Sequence, residues 1–454
     1  MPYFRSCAKI TAICLMLTLV SSCANFSRNI DETLFSTRSQ DGPSINIKTK
    51  ELKGNERIEE DSDIGEKFKS TDSIDITKQK KYGKEWQIAI LLPLSGKNET
   101  FGMHVLDAVT LALFDFADMN IKIIPIDTGD SNKSAIRAAE MAISIHADAV
   151  IGPIFATTTA AVEPVLSQAG IKTISLSNSS KLLGKGVQVF GIMPEALLLA
   201  TLDYAKDTGH TNFGFIFPSN NKGFAMDKTA DEITKQIGAL KMFSDYYQSN
   251  QDFYVTVAKK VASNYKVTYK QNEKGELFLE SVRDKLNKKN KTEKAENIKS
   301  VVKQLDAVYV DASGVNLFKM MAEFGKIGLL SKNILFLSNE NVDDDVLKTN
   351  HYAEGMVFAG TTSDNIAEFE RHFKQQFGYK PVKIATLAYD ATTTLIFLMQ
   401  KYGLSDEAFY NTTGFSGVYG DFKFTKSGLV QRKFNIYEIR KGNPILIDQS
   451  LLFM

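Results

Sequence analysis

Apolar and polar positions along the chain fall into three regimes. In the first, Ile10 to Val20 is an apolar run behind Arg5 and Lys9. It is too short for a stop-transfer span and matches the core of a signal peptide. In the second, residues 24–84 keep neither a helical nor an alternating period. This stretch of 61 residues holds 12 acidic and 12 basic residues. Such a segment cannot bury enough surface to offset the entropy of ordering, so it reads as a tether. The third regime starts at Glu85, where short apolar runs alternate with helical spacing.

Trp86–Leu94, Ile121–Ile126, Ala149–Ile154 and Lys172–Leu176 read as strands. Between them, residues 101–118, 134–146 and 158–168 carry apolar positions at helical spacing. A second series follows, with helices over 194–208, 225–238, 253–264 and 315–325. Its strands cover 213–217, 240–246, 305–310, 334–337 and 356–359. Two long helices span 367–379 and 386–402, and residues 418–446 alternate like antiparallel strands. Short turns between strand and helix imply parallel sheets. The predicted class is α/β, as two doubly wound parallel-sheet lobes facing each other across a cleft. One lobe is expected over 85–193 and 362–415, the other over 194–361 and 416–454. Hinges are expected near 192–194, 360–364 and 414–417. Residues 265–304 interrupt the rhythm. Eight Lys/Arg against three acids in 283–303 predict a solvated helical insertion there.

Length and composition agree with this division. The 454 residues are 43% apolar and 24% charged, with net charge +1. That balance gives no footprint for nucleic acid. The three cysteines, Cys7, Cys14 and Cys23, all lie in the first 23 residues. The domain therefore has no disulfide framework and no thiol chemistry. Val20-Ser21-Ser22-Cys23 closes the apolar run like a bacterial lipobox, with lipid on Cys23 and 1–22 removed as signal peptide. Ala24 then points to the outer membrane. Acyl chains on Cys23 would anchor the chain to a membrane, with residues 23–84 as anchor and tether to a domain at 85–454.

No chemistry motif stands out. Ser95-Gly96-Lys97 lacks the upstream glycine of a P-loop, and no G-x-G-x-x-G follows a strand. The five histidines lack metal-ligand spacing. Gly414-Phe415-Ser416-Gly417 falls one residue short of a nucleophile elbow. Asp343-Asp344-Asp345 lacks the spacing of a calcium loop. The sequence thus predicts no cofactor, no metal and no catalytic residue, and favours a binding protein over an enzyme.

Five segments carry a resemblance: ILLPLSG (90–96) with Phe101-Gly102, IDTG (126–129), VIGPIFATTT (150–159), ISLSNSS (174–180) and GFSGVYGDFKFTKSGLVQRKFNIYEIRKG (414–442). In this order they resemble the type I periplasmic solute-binding fold of leucine/isoleucine/valine-binding proteins. They resemble more closely the penicillin-binding-protein activator lipoproteins that share it. The resemblance implies a cleft at the carboxyl ends of the strands, with Ser95, Ala156, Thr157, Ser177, Asn178 and Ser179 on one side. The alternative roles are helix caps for Thr157 and Thr158 and a polar turn for Ser177 to Ser180. The family's lead carboxylate-binding serine corresponds to Ala156, which loses a hydroxyl. Its lid tyrosine corresponds to Lys222, and its ammonium-pairing acid to Glu340. Two functions follow from the resemblance. One is a periplasmic lipoprotein that activates a penicillin-binding protein (a peptidoglycan synthase). The other is the receptor of an ABC permease for an amino-acid-like or other small polar ligand.

Overall fold

A strand with no polar alternation has to be covered on both faces. The first of the domain, Trp86–Leu92 (β1), is such a strand. The computed structural model describes residues 85–116, 121–271, 277–279, 299–340, 351–361, 364–410 and 413–449, all within one unit, Ile47–Met454. In chain order β1 leads to helix Glu99–Asp115 (α1), strand Ile121–Asp127 (β2), helix Asn132–Ser144 (α2), strand Ala149–Ile151 (β3), helix Ala156–Gln168 (α3) and strands Lys172–Ser175 (β4) and Val187–Val189 (β5). These strands form one parallel sheet in the order β2-β1-β3-β4-β5. Ala89 and Leu91 pack against alanines of α2 and against Val162 and Leu166 of α3. Ile88, Ile90 and Leu92 pack on the other face, under α1 and a long helix from later in the chain. Each fully buried large apolar side chain contributes about 1.5–3 kcal/mol.

The second lobe repeats the plan. Helix Pro194–Asp207 (α4) precedes strand Asn212–Pro218 (β6), helix Asn221–Gln236 (α5), strand Leu240–Tyr247 (β7) and helix Gln251–Ser263 (α6). Strands Lys266–Gln271 (β8), Leu277–Leu279 (β9) and Lys299–Gln304 (β10) follow, then strand Ala307–Val310 (β11), helix Gly314–Lys326 (α7) and strands Leu335–Ser338 (β12) and Val357–Gly360 (β13). Phe213, Phe215 and Phe217 face α4 and α5, while Ile216 faces the core under α6 and α7. The chain returns through helices Asp364–Phe377 (α8), Lys383–Lys401 (α9) and Asp406–Phe409 (α10), then strands Phe415–Gly417 (β14), Gly420–Phe424 (β15) and Val430–Arg432 (β16). Strands Asn435–Arg440 (β17) and Asn443–Gln449 (β18) close the second sheet, β18-β17-β13-β12-β11-β6-β7, antiparallel at the β18 end. The α/β class with two parallel-sheet lobes is what the sequence pattern predicts.

Three details differ from expectation. The ends of the insertion are strands: β8, β9 and β10 pair antiparallel, not as a helix. Alternating Val267 and Tyr269, and the pair Val301-Val302, supply the β-branched and aromatic residues that strands favour. The Lys-rich remainder of that helical expectation, 280–298, lies outside the described residues, as do Cys23, the tether and Asp343–Asp345. Residues 415–432 do not join the second lobe at 416. Phe415, Phe422, Phe424 and Val430 pack into the first-lobe core beside Phe190, and Val189 bridges Leu429. The third crossover therefore falls at Lys433–Phe434, not at 414–417. Strand β5, three residues between glycines, is too short to show in the pattern.

The first βα turn of each lobe uses the same steric device. A Cβ on Gly102 would sit 2.1 Å from the Pro93 carbonyl oxygen, and one on Gly223 would sit 1.9 Å from that of Pro218. Helices α1 and α5 thus press their first turns against the strand ends. Gly102→Ala is expected to cost about 1–3 kcal/mol by overpacking, read as a lowered urea midpoint. A midpoint equal to wild type would show that the turn yields.

Candidate ligand-binding site

The carboxyl ends of parallel strands gather loops and helix N-termini, and in open α/β sheets ligands bind there. In the first lobe this edge starts at the turn after β1. Ser95 donates its hydroxyl to Asp127 Oδ2 at 2.5 Å, and Leu94 and Gly129 donate their N–H groups to Oδ1 at 2.8 Å each. Burial works upward on Asp127, but these hydrogen bonds outweigh it and hold the carboxyl below its ordinary range. Asp130 accepts from Lys97 N–H and Asn98 Nδ2. At Gly96, with φ +81°, a Cβ would strike the Asp130 carboxylate. The IDTG segment and Asp130 therefore pin the Ser95 turn, and the Ser95 proton is already engaged.

Helix α3 begins at Ala156 with Phe155 as its N-cap and no side-chain cap. The cap role considered for Thr157 and Thr158 is not realised. Thr157 is exposed, and Thr158 bonds back to the Phe155 carbonyl. The free N–H groups of that first turn favour a negative group. Beyond β4, Ser177 is buried and accepts from Ser179 N–H at 3.3 Å, while Asn178 is exposed. Ser177 and Ser179 are thus joined within the turn.

The second lobe places Lys222 in the first turn of α5, exposed and close enough to attract Asp311. Asp311 follows β11 and accepts from Asn339 Nδ2 at 2.6 Å. Burial raises its pKa, against the pull of Lys222 and Asn339. Glu340 follows β12, but its carboxylate is taken up internally. Tyr419 donates to Oε2 at 3.0 Å, Thr361 reaches it at 3.4 Å, and the Lys383 ammonium lies 3.6 Å from Oε1 and 2.8 Å from the Glu340 carbonyl. Lys383 opens α9, which packs in the first lobe, so Glu340 links the two lobes. A ligand ammonium there would have to displace the chain's own.

The sequence-predicted residues thus fall into two sets, one at each sheet's carboxyl edge. The sequence reading missed Asp127, Asp130, Asp311, Asn339, Lys383 and Tyr419. Asp127 and Asp311 carried a usable signal: each is an acid immediately ending an apolar strand. Among the described residues no group of three potential metal ligands gathers, and no helix is long and apolar enough to cross a membrane.

A family profile described as periplasmic binding protein matches residues 85–444. Among solved structures, a candidate branched-chain amino acid ABC transporter of Rhodospirillum rubrum superposes with a TM-score of 0.64 at 14% identity, covering 80% of this chain and 100% of its own. A branched-chain amino acid ABC transporter periplasmic ligand-binding protein of Burkholderia xenovorans LB400 gives 0.59 at 13%, covering 80% and 95%. A leucine-binding protein of Thermotoga maritima MSB8 gives 0.52 at 15%, covering 80% and 98%. At these identities the likeness establishes the fold. Among curated proteins, the uncharacterized protein RP748 of Rickettsia prowazekii (strain Madrid E) is 23% identical over 190 residues, 42% of this chain. The match spans about half the length of that relative, 51%.

Proposed function

This chain belongs to the periplasmic binding protein family, and from that premise we propose that it is a non-catalytic, lipid-anchored periplasmic protein that regulates peptidoglycan synthesis by contacting a penicillin-binding protein. The observation that carries this reading is Glu340. Its carboxylate is held by Lys383 and Tyr419, so the place where an amino acid's ammonium would pair is filled from within. Ala156 withholds the hydroxyl that would meet a ligand carboxylate, and Lys222 stands where an aromatic lid would close. With its amino-acid site blocked, the two-lobed body serves as a surface. Cys23 and the tether 24–84 carry it away from the outer membrane. A flexible chain of that length has an rms span of about 40–50 Å.

A second reading is the receptor of an ABC permease. The uncapped first turn of α3 favours it, because it suits an anionic group beside Thr157 and Ser177. The Burkholderia protein is named for branched-chain amino acids and the Thermotoga protein for leucine. A thermal-shift screen of amino acids and small anions, run alongside co-purification from envelope extracts, separates the two. The synthase reading expects no shift and a recovered transpeptidase. A shift of several degrees by one small ligand, as mass action predicts for a specific complex, with no transpeptidase recovered, would overturn it.

A further inference from the structure

We infer that the second lobe carries a pocket of its own for a neutral saccharide, formed where β6, β7 and α7 meet. The pocket has a volume of about 390 Å³, inside the range of about 300–1,000 Å³ usual for small-molecule sites. Pro218, Ser219, Asn220, Tyr247, Gln248, Ser249 and Asn316 line it, all but the proline with polar side chains. None of these side chains is a carboxylate, an ammonium or a guanidinium.

The lining is held in place from behind. Tyr247 donates its hydroxyl to the Asp311 carbonyl at 3.1 Å, and its own carbonyl accepts from Ser219 N–H at 2.8 Å. The buried Tyr254 hydroxyl donates to Asn316 Oδ1 at 2.6 Å. Asn220 Oδ1 accepts from Gly223 N–H at 2.9 Å. These bonds use one side of each amide and leave the other. Among the described residues, no partner takes Nδ2 of Asn220 or of Asn316, the amide of Gln248 or the hydroxyls of Ser219 and Ser249, which face a ligand. The Tyr247 phenol stays neutral, since burial first, then the Asp311 charge and Tyr254, push it well above its ordinary value.

Amides and hydroxyls both donate and accept. They match a ligand whose every polar group is also a hydroxyl or an amide, which describes a sugar. A zwitterion or a carboxylate would find no opposite charge in this lining and would lose its hydration. This inference goes beyond the synthase reading and does not depend on it.

The test is titration calorimetry and saturation-transfer NMR on the purified chain with maltose and the N-acetylglucosamine disaccharide, against leucine and benzoate. One saccharide is expected to bind saturably at millimolar concentration or below, with no displacement by leucine or benzoate. Gln248→Leu and Ser249→Val replace exposed side chains, so both variants should keep the wild-type melting temperature. Gln248→Leu should weaken binding about tenfold, the size of one well-made hydrogen bond pair. Absence of saccharide binding, binding equal in Gln248→Leu, or displacement by leucine each overturns the assignment. No synthase enters this experiment, so its failure leaves the partner reading standing, and failed co-purification leaves the pocket standing.

Discussion

Arg432→Met is expected to cost the chain about 1.5–3 kcal/mol of stability, the usual size of a hydrogen bond to a charged group, since the guanidinium bonds the Phe190 carbonyl and acts on Asp390 only through space. Arg432 is 2% exposed. Its Nη2 donates to the Phe190 carbonyl at 3.0 Å, and its guanidinium lies 4.5 Å from the Phe190 ring centre and 5.1 Å from that of Phe422. The opposing charge is Asp390, which α9 carries at full burial and which accepts N–H from Val418 at 2.7 Å and Tyr419 at 2.8 Å. Gly417 makes room for that carboxylate, because a Cβ there would lie 2.5 Å from it. The pair therefore ties α9, the β14–β16 sheet and the crossover after β5 at one point beside the hinge. Removing the arginine leaves Asp390 buried without its counter-charge. Arg432 is itself poorly satisfied, since Nε and Nη1 are buried without a hydrogen-bond partner. Burial lowers its pKa to about 10 despite Asp390. Replacing both residues, as Arg432→Met with Asp390→Asn, should recover part of the loss, because no unbalanced charge is left buried and an amide oxygen still accepts one of the two N–H groups. Urea denaturation followed by circular dichroism measures all three. A single-variant loss under about 1 kcal/mol, the scale of an exposed pair, would mean that the pair contributes no more than a surface contact.

This hub was invisible in the sequence, whereas the sheets around it were not. Strand β1 was legible because all its residues but Gln87 are apolar and both faces are covered. Helix α9 was legible from its length and from Leu387, Ala391, Leu395 and Leu398 at helical spacing. Within it, nothing in the spacing marks Asp390 or Thr392 to Thr394 as buried. In the structure those threonines are buried and satisfy themselves against carbonyls one turn back. Arg432 sits in VQRKF, where alternation puts it on the face of Val430 and Phe434 but its charge argues for the wet one. Its burial depends on Phe190 and Asp390, which are distant in sequence, and periodicity carries no information about such pairs. The same reason accounts for the lobe boundary. Residues 415–432 alternate like any antiparallel strands, and only the apolar wall of the first lobe decides where they dock. The site was legible as positions, since strand ends mark the cleft edge. It was not legible as states. Nothing in FLSNENV shows that Glu340 is already paired, because Lys383 and Tyr419 arrive from the other lobe.

The same hub sets an expected pH response. Burial pushes the Asp390 carboxyl from 3.8 up to about 6, against the pull of the Tyr419 and Val418 N–H groups and Arg432. The folded chain thus binds this proton more tightly than the unfolded chain does. The stability it contributes is fully present below about pH 4 and is lost as pH rises through about 6. A shift of about two units corresponds to about 3 kcal/mol. Asp390→Asn has no proton to exchange, so the wild-type curve should fall relative to the variant by about that amount between pH 4 and about pH 7. Asp115 and Asp311, whose pKa values burial also raises, slope the same way but do so in both proteins and cancel in the difference. The absolute stability of the variant is not the readout, because an asparagine oxygen cannot accept both N–H groups as the carboxylate does. Urea midpoints at a series of pH values give the difference curve directly. Parallel curves would mean that Asp390 titrates like an exposed carboxylate, which would require water to reach it beneath Tyr419. A falling difference would make the hinge-side hub tighter in acid, and Tyr419, which also holds Glu340, would carry that tightening to the contact between the lobes.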